Sequence, residues 1–311
     1  METTTSNKLR LTRMSGSPLA SIDALQSALH DRRYIAERGL ATSIYLAVKL
    51  GRPLFLEGEA GVGKTEVAKV LTEILDTELI RLQCYEGLDV SQAVYEWNYS
   101  RQMLHIRLRE SRGEKTEEQD LFGPQFLLRR PLLQAIADSH PKPPVLLVDE
   151  IDRSDEEFEA YLLELLSDFQ ITIPEIGTIK AERPPVVVIT SNRTREIHDG
   201  LKRRCLYFWI DYPGFDKELE ILRTRVPQAS AELSRQVTAF VQELRRADLF
   251  KNPGVAETLD WAEALVALDQ STLSRQVIED TLGVILKYQD DVEKVSGRAV
   301  DEILAKIGLT P

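Results

Sequence analysis

Eight consecutive residues, Gly58-Glu59-Ala60-Gly61-Val62-Gly63-Lys64-Thr65, match the pattern G-x-x-x-x-G-K-[ST]. So much glycine lets successive backbone N–H groups turn inward and wrap a phosphate chain, and a helix beginning near Lys64 adds the positive end of its dipole. The Lys64 ammonium is then expected to reach the β- and γ-phosphates of a nucleotide, with the Thr65 hydroxyl holding the Mg²⁺ that bridges them. A chance match in a loop fits poorly with the apolar run "LFLEG" before it and "KTEVAKVLTEIL" after it.

Further along, "VLLVDE" ends in Asp149-Glu150. Four apolar residues followed by two acids are expected to set a Mg²⁺-side carboxylate, Asp149, next to a water-activating one, Glu150. The same acids also suit a helix start, with Ser154 or Asp155 as the cap, and the two readings are compatible. Asn192 ends "VVVITSN", where a polar amide at the carboxyl edge of a parallel sheet faces the ligand crevice and can orient a water; a plain turn residue is the alternative. In "LKRRCLYFWI", Lys202, Arg203 and Arg204 stand together, and a guanidinium there suits an arginine finger acting on a neighbouring subunit's nucleotide. Arg204 is the preferred finger and Arg203 the second choice, against a solvated basic turn.

The elements that must position these groups read as a doubly wound α/β sheet. "PLFLEG", "ELIRLQC", "PVLLVDE" and "PPVVVITSN" are continuous apolar runs of the kind that parallel strands covered on both faces require. Helical stretches separate them, and residues 22–50 read as helix up to Gly51 and Pro53. Residues 86–124 form an insert too long for an ordinary connection, and about 170–185 reads as a hairpin. After "FWIDYP" only helical patterns follow, with Pro213-Gly214 as a hinge. The expected organisation is a flexible segment over 1–20, an α/β nucleotide-binding domain over 21–212 and a helical lid over 213–311.

Composition narrows the partners. A net charge of −11 over 311 residues disfavours a general nucleic-acid binder. Two isolated cysteines, Cys84 and Cys205, give no disulfide framework and suit a reducing, cytoplasmic setting. The start of the sequence has no apolar signal core, no 18-residue apolar run exists, and the four histidines lack ligand spacing. The insert interleaves Tyr95, Trp97 and Tyr99 with Arg101, Arg107, Arg109 and Arg112, a pattern open to internal packing, a protein surface or nucleic acid.

Phosphate loop, "LLVDE", strand-end Asn, arginine pair and helical C-terminal domain, in that order, resemble an AAA+ ATPase across about residues 20–311. The insert and hairpin resemble the MoxR branch, and "GLDVSQAVYEWNY" with "TSNRTREIHDGLKRRCLYFWIDYP" resembles its CO-dehydrogenase accessory, CoxD-like group. The resemblance implies a P-loop AAA+ module with a helical lid and a homo-oligomeric ring, usually a hexamer. It also implies a chaperone-like, ATP- and Mg²⁺-dependent remodeller that partners a von Willebrand factor A domain protein. The implied client is a metalloenzyme such as a molybdenum CO dehydrogenase. Gly58 to Thr65, Asp149 and Glu150, Asn192 and Arg204 take the family's roles, and Gln83 is read as a restraint on Glu150. Where the family's lid helix begins with an arginine, this chain has "PGVAETLDW" with Glu257 or Thr258 in its place, so no lid sensor is assigned. A nucleotide-switched scaffold with low turnover and a small-molecule kinase are the competing readings.

Overall fold

The computed structural model describes residues 18–115, 117–137 and 140–309. Most of the N-terminal segment expected to be flexible, residues 1–17, lies outside the described residues. Five parallel strands form the main sheet: β1 (Leu54–Gly58), β2 (Leu79–Gln83), β5 (Val145–Asp149), β8 (Val186–Ser191) and β9 (Leu206–Ile210), in the spatial order β2-β5-β8-β1-β9. Two antiparallel pairs stand apart from it, β3 (Tyr95–Trp97) with β4 (Leu127–Arg129), and β6 (Gln170–Ile173) with β7 (Gly177–Lys180).

Alternate residues of each strand feed opposite cores, because side chains on a strand alternate faces. Leu54, Leu56, Val145 and Leu147 pack beneath α1 (Ile22–Asp31), α2 (Arg38–Leu50) and α3 (Lys64–Leu75). Phe55, Leu146 and Val148 face the other way. There they meet residues of α7 (Pro131–Ala137), α8 (Glu156–Asp168) and α9 (Asp199–Arg204), among them Leu132, Leu162 and Leu201. Burial on both faces explains why β1 and β5 read as unbroken apolar runs.

Two expectations need correction. Residues 22–50 are two helices, not one: α1 ends at Asp31, Arg33 takes a left-handed backbone (φ 60°), and Glu37 precedes α2 as its N-cap. The break turns Tyr34 and Ile35 towards the phosphate loop. The sheet also has a fifth strand, since "LYFWI" pairs with β1 from Leu54↔Leu206 to Gly58↔Ile210.

Residues 86–124 hold α4 (Val90–Ala93), β3, α5 (Tyr99–Ser111) and α6 (Glu118–Leu121). Trp97 is buried edge-on to Phe122 at 5.1 Å, whereas Tyr99, Met103, Leu104 and Leu108 of α5 are exposed. The aromatics of the insert therefore divide: some pack internally and some face outward.

Beyond Gly214 the chain forms α10 (Phe215–Arg225), α11 (Ala231–Leu244), α12 (Val255–Ala267), α13 (Arg275–Ile285), α14 (Gln289–Val295) and α15 (Arg298–Lys306). They enclose their own core around Phe240, Trp261 and Leu282. Glu218, almost fully buried on α10, accepts from Arg245 Nη1 and Nη2 (2.7 and 2.6 Å), Gln242 Nε2 (2.7 Å) and Thr258 Oγ1 (2.8 Å), tying α10 to α11 and α12.

Candidate nucleotide site

The carboxyl ends of β1, β5 and β8 open into a cavity of about 420 Å³ that α10 and α12 close from the far side. Its lining includes Ala60, Gly61, Val62, Gly63, Lys64, Thr65, Asp149, Glu150 and Asn192. Gly58 and Glu59 stand behind that surface and present their carbonyls inward.

The loop backbone needs its glycines. Gly61 (φ 77°) and Gly63 (φ 93°) lie in the left-handed region. A Cβ at Gly61 would stand 2.7 Å from Glu257 Oε2, and one at Gly254 would stand 2.7 Å from Ala60 O, so the start of α12 rests directly on the loop. Lys64 Nζ donates to Gly58 O (2.8 Å) and Glu59 O (2.6 Å), folded back into the curve of the loop. Burial pulls the pKa of Lys64 down to about 8, although the carboxylates of Asp152, Glu59, Asp149 and Glu150 pull the other way. A phosphate chain would give this ammonium the partners it now finds among carbonyls.

Asp149 is almost fully buried at the end of β5. Its Oδ1 accepts from Thr65 Oγ1 (2.9 Å) and Thr190 Oγ1 (2.6 Å), and its Oδ2 accepts from Arg81 Nε (3.1 Å) and Nη2 (2.6 Å). Thr65 and Asp149 form the hard-oxygen donor pair that suits a hydrated Mg²⁺.

Glu150 departs from ordinary backbone, with φ 56° and ψ 52°. A left-handed non-glycine residue costs about 1–2 kcal/mol, and such strain persists where surrounding structure enforces it. Here the enforcing bonds are visible. Glu150 N donates to Thr190 Oγ1 (2.9 Å), Gln83 Nε2 to Glu150 Oε2 (2.9 Å) and Asn192 Nδ2 to Glu150 Oε1 (3.3 Å), while Arg153 Nη1 lies 3.3 Å from Oε2. Gln83 thus touches Glu150, and Asn192 lies on the same carboxylate from the opposite strand.

The strand-end loop that carries Asn192 is pinned from below. Asp152 accepts from the backbone of Asn192 (3.1 Å) and Thr194 (2.9 Å) and from Thr194 Oγ1 (2.7 Å). Asp155 caps α8 by accepting from Phe158 N (2.8 Å), so the acidic run after β5 serves both site and helix. Arg203 and Arg204 do not join the cavity. They are exposed at the end of α9, where Arg52 bonds their carbonyls at 3.0 and 3.2 Å.

Several site groups went unnoticed in the sequence. Arg81 and Thr190 bind Asp149, and Asp152 holds the Asn192 loop. From the lid, Lys217 and Arg225 line the cavity while pairing with Glu37 (2.8 Å) and Glu66 (3.1 Å). The reading of "ELIRLQC" as a continuous apolar run needs correction: burial alternates along β2, with Arg81 and Gln83 on one more exposed face.

Among known proteins, residues 53–205 match the AAA domain family, dynein-related subfamily. An uncharacterized protein of Staphylococcus aureus (strain bovine RF122 / ET3-1) is 25% identical over 205 residues, covering 63% of this chain and 69% of that protein. Its counterpart in strain USA300 is 24% identical over the same share. Two solved structures of Thermotoga maritima RuvB are distant likenesses, each covering 93% of this chain. One, a mutant, is 14% identical with a TM-score of 0.49 over 83% of its own chain. The other, described as a Holliday junction branch migration motor, is 15% identical with a TM-score of 0.44 over 84% of its own. With the phosphate loop, the acidic strand end and the helical lid in place around one cavity, the chain has the fold of a P-loop AAA+ module, and its residues 53–205 match the AAA domain family.

Proposed function

We propose that this protein is an ATP-hydrolysing AAA+ remodeller that works as a homo-oligomeric ring, with each nucleotide at a boundary between chains. The observation that carries hydrolysis is Glu150, held in a left-handed backbone at the mouth of β5 with its carboxylate bracketed by Gln83 and Asn192. In this reading the loop amides and Lys64 bind the β- and γ-phosphates of ATP. Thr65 and Asp149 would hold Mg²⁺, which would supply charge neutralisation at the phosphates when bound. Asn192 orients the attacking water, and Glu150 takes its proton. Tyr34 and Ile35 on one side, and Ile221 and Leu259 on the other, offer apolar walls for the base. Arg204, exposed and outside the chain's own cavity, is assigned to the nucleotide of the next chain.

The finer reading rests on the resemblance to the CoxD-like group of the MoxR branch. It gives a hexameric, chaperone-like ATPase in the cytoplasm that acts with a von Willebrand factor A domain partner. Its client is a metalloenzyme in need of cofactor assembly, such as a molybdenum CO dehydrogenase, and nucleic acid is not the substrate. Among the described residues no helix is long and apolar enough to cross a membrane. A second reading, a nucleotide-switched scaffold with little turnover, draws on the lid: the start of α12 brings Glu257, not a cation, against Gly61.

Glu150→Gln separates the two. A remodeller loses hydrolysis by about 100-fold or more while nucleotide affinity changes little, and client maturation fails with it. A scaffold variant that has lost turnover but still supports the client would overturn the remodeller.

A further inference from the structure

Arg81 is not required by the phosphate chemistry, yet its guanidinium sits on the metal-side carboxylate. Nε and Nη2 lie 3.1 and 2.6 Å from Asp149 Oδ2, and Nη2 also reaches Gln83 Oε1 at 2.5 Å. The other end of that amide donates from Nε2 to Glu150 Oε2 at 2.9 Å. One string of hydrogen bonds therefore runs Asp149–Arg81–Gln83–Glu150, joining the two carboxylates at the heart of the site.

The strand register builds this string. β2 pairs with β5 so that Gln83 stands opposite Asp149 and Arg81 opposite Leu147, and residues two apart on a strand share a face. A guanidinium has donors only, so it selects the oxygen of the Gln83 amide and turns its NH₂ group towards Glu150. Asp149 already receives two donors on each oxygen, from Thr65 and Thr190 on Oδ1 and from Arg81 on Oδ2. A hydrated cation that needs Asp149 as acceptor for its waters must displace one of them. Thr65 is itself the cation's other holder, and Thr190 is buried. Arg81, with half of its side chain exposed, has room to swing out.

We propose that Arg81 is a positioning residue that competes with the divalent cation for Asp149 and, through Gln83, couples arrival of the cation to release of Glu150. The proposal rests on the reading of Asp149 and Glu150 as metal-side and water-side carboxylates. Drawing Arg81 off Asp149 removes the group that fixes the Gln83 amide. Glu150 then loses its 2.9 Å bond and keeps the longer contacts to Asn192 and Arg153. Nucleotide without metal leaves Glu150 restrained, so the water-activating group is freed after the metal has come in.

The test is a Mg²⁺ titration of fluorescent ATP-analogue binding to the full chain, with Mn²⁺ binding followed by electron paramagnetic resonance as a readout independent of turnover. Arg81→Met is expected to lower the half-saturating metal concentration about tenfold, the scale of one hydrogen bond to a charged group. Arg81→Lys, which keeps a charge near Asp149, should fall between it and the wild type and serves alone if the Met variant does not fold. On kcat, Arg81→Met and Gln83→Ala should be non-additive, while the metal midpoint follows Arg81 only. A midpoint unchanged or raised in both Arg81 variants, or additive effects on kcat, overturns the inference. A wild type that binds nucleotide in a metal-dependent way, with no shift in either Arg81 variant, removes the inference alone, whereas a wild type that binds no nucleotide at any metal concentration removes the site reading as well.

Discussion

The two walls of the cavity are built on different principles. The sheet wall presents Lys64, Thr65, Asp149, Glu150 and Asn192, each already bonded to a neighbour at a strand end or helix start. The lid wall presents Ile221, Val255 and Leu259, with Lys217 and Arg225 at its edge held by carboxylates of the α/β domain. Burial pushes Glu66 up, but hydrogen bonds and charge from Lys69 and Arg225 outweigh it and leave its carboxyl below the ordinary range. The contrast places the polar, titratable groups on the sheet wall and mostly apolar ones on the lid. α12 rests its backbone on the loop, with Ala256 N donating to Gly61 O at 3.1 Å, but brings no arginine.

The division can be broken most forcefully at the loop. Lys64→Ala should weaken ATP binding by about 100-fold or more, since it removes the buried ammonium that is expected to meet the phosphates. Equilibrium binding of a fluorescent nucleotide reads this, and a change under fivefold would move the chemistry elsewhere.

A smaller effect sharpens the lid side. Glu218→Gln leaves Arg245 buried beside a neutral partner, at a cost of about 3 kcal/mol. Hydrogen exchange should then speed up by about two orders of magnitude in α11 and α12 while β5 stays protected. Equal acceleration in β5 would mean that the two walls are one cooperative unit.

The smallest effect is in protons. Lys64 titrates near 8 in the nucleotide-free chain, below its ordinary 10.5, so it is largely neutral at pH 9. The unfolded chain holds that proton up to the higher pH, so this residue adds stability as pH rises from about 8 towards 10.5. Phosphate binding is expected to restore the charge. Calorimetry of Mg-ATP binding in buffers of different ionisation enthalpy should show uptake of most of a proton at pH 9 and far less at pH 7. Equal counts at both would place Lys64 outside the phosphate contacts.

What could be read from the sequence follows from how local each feature is. The phosphate loop spans eight adjacent residues whose backbone geometry is set by their own glycines, and Asp149-Glu150 follow directly on a buried strand. Arg81 could be placed only once β2 lay beside β5 in register. The break at Arg33 was hidden because "HDRRYIAERG" keeps helical composition, and what overrides it is packing of Tyr34 against the loop. Strand β9 was hidden because "LYFWI" follows three cations and reads as the end of a domain until its pairing with β1 is seen. In the lid, Gly254 marks the start of α12 in the sequence, but that this start touches Gly61 is a tertiary fact.

The proposal of a ring assigns Arg204, which lies outside its own cavity, to the nucleotide of a neighbouring chain. ATP hydrolysis per subunit, measured across a wide range of protein concentration with Arg204→Ala alongside, tests this most directly. The account predicts a rate that climbs with concentration and collapses in the variant. A flat rate untouched by the substitution would contradict it and make each chain a self-sufficient ATPase.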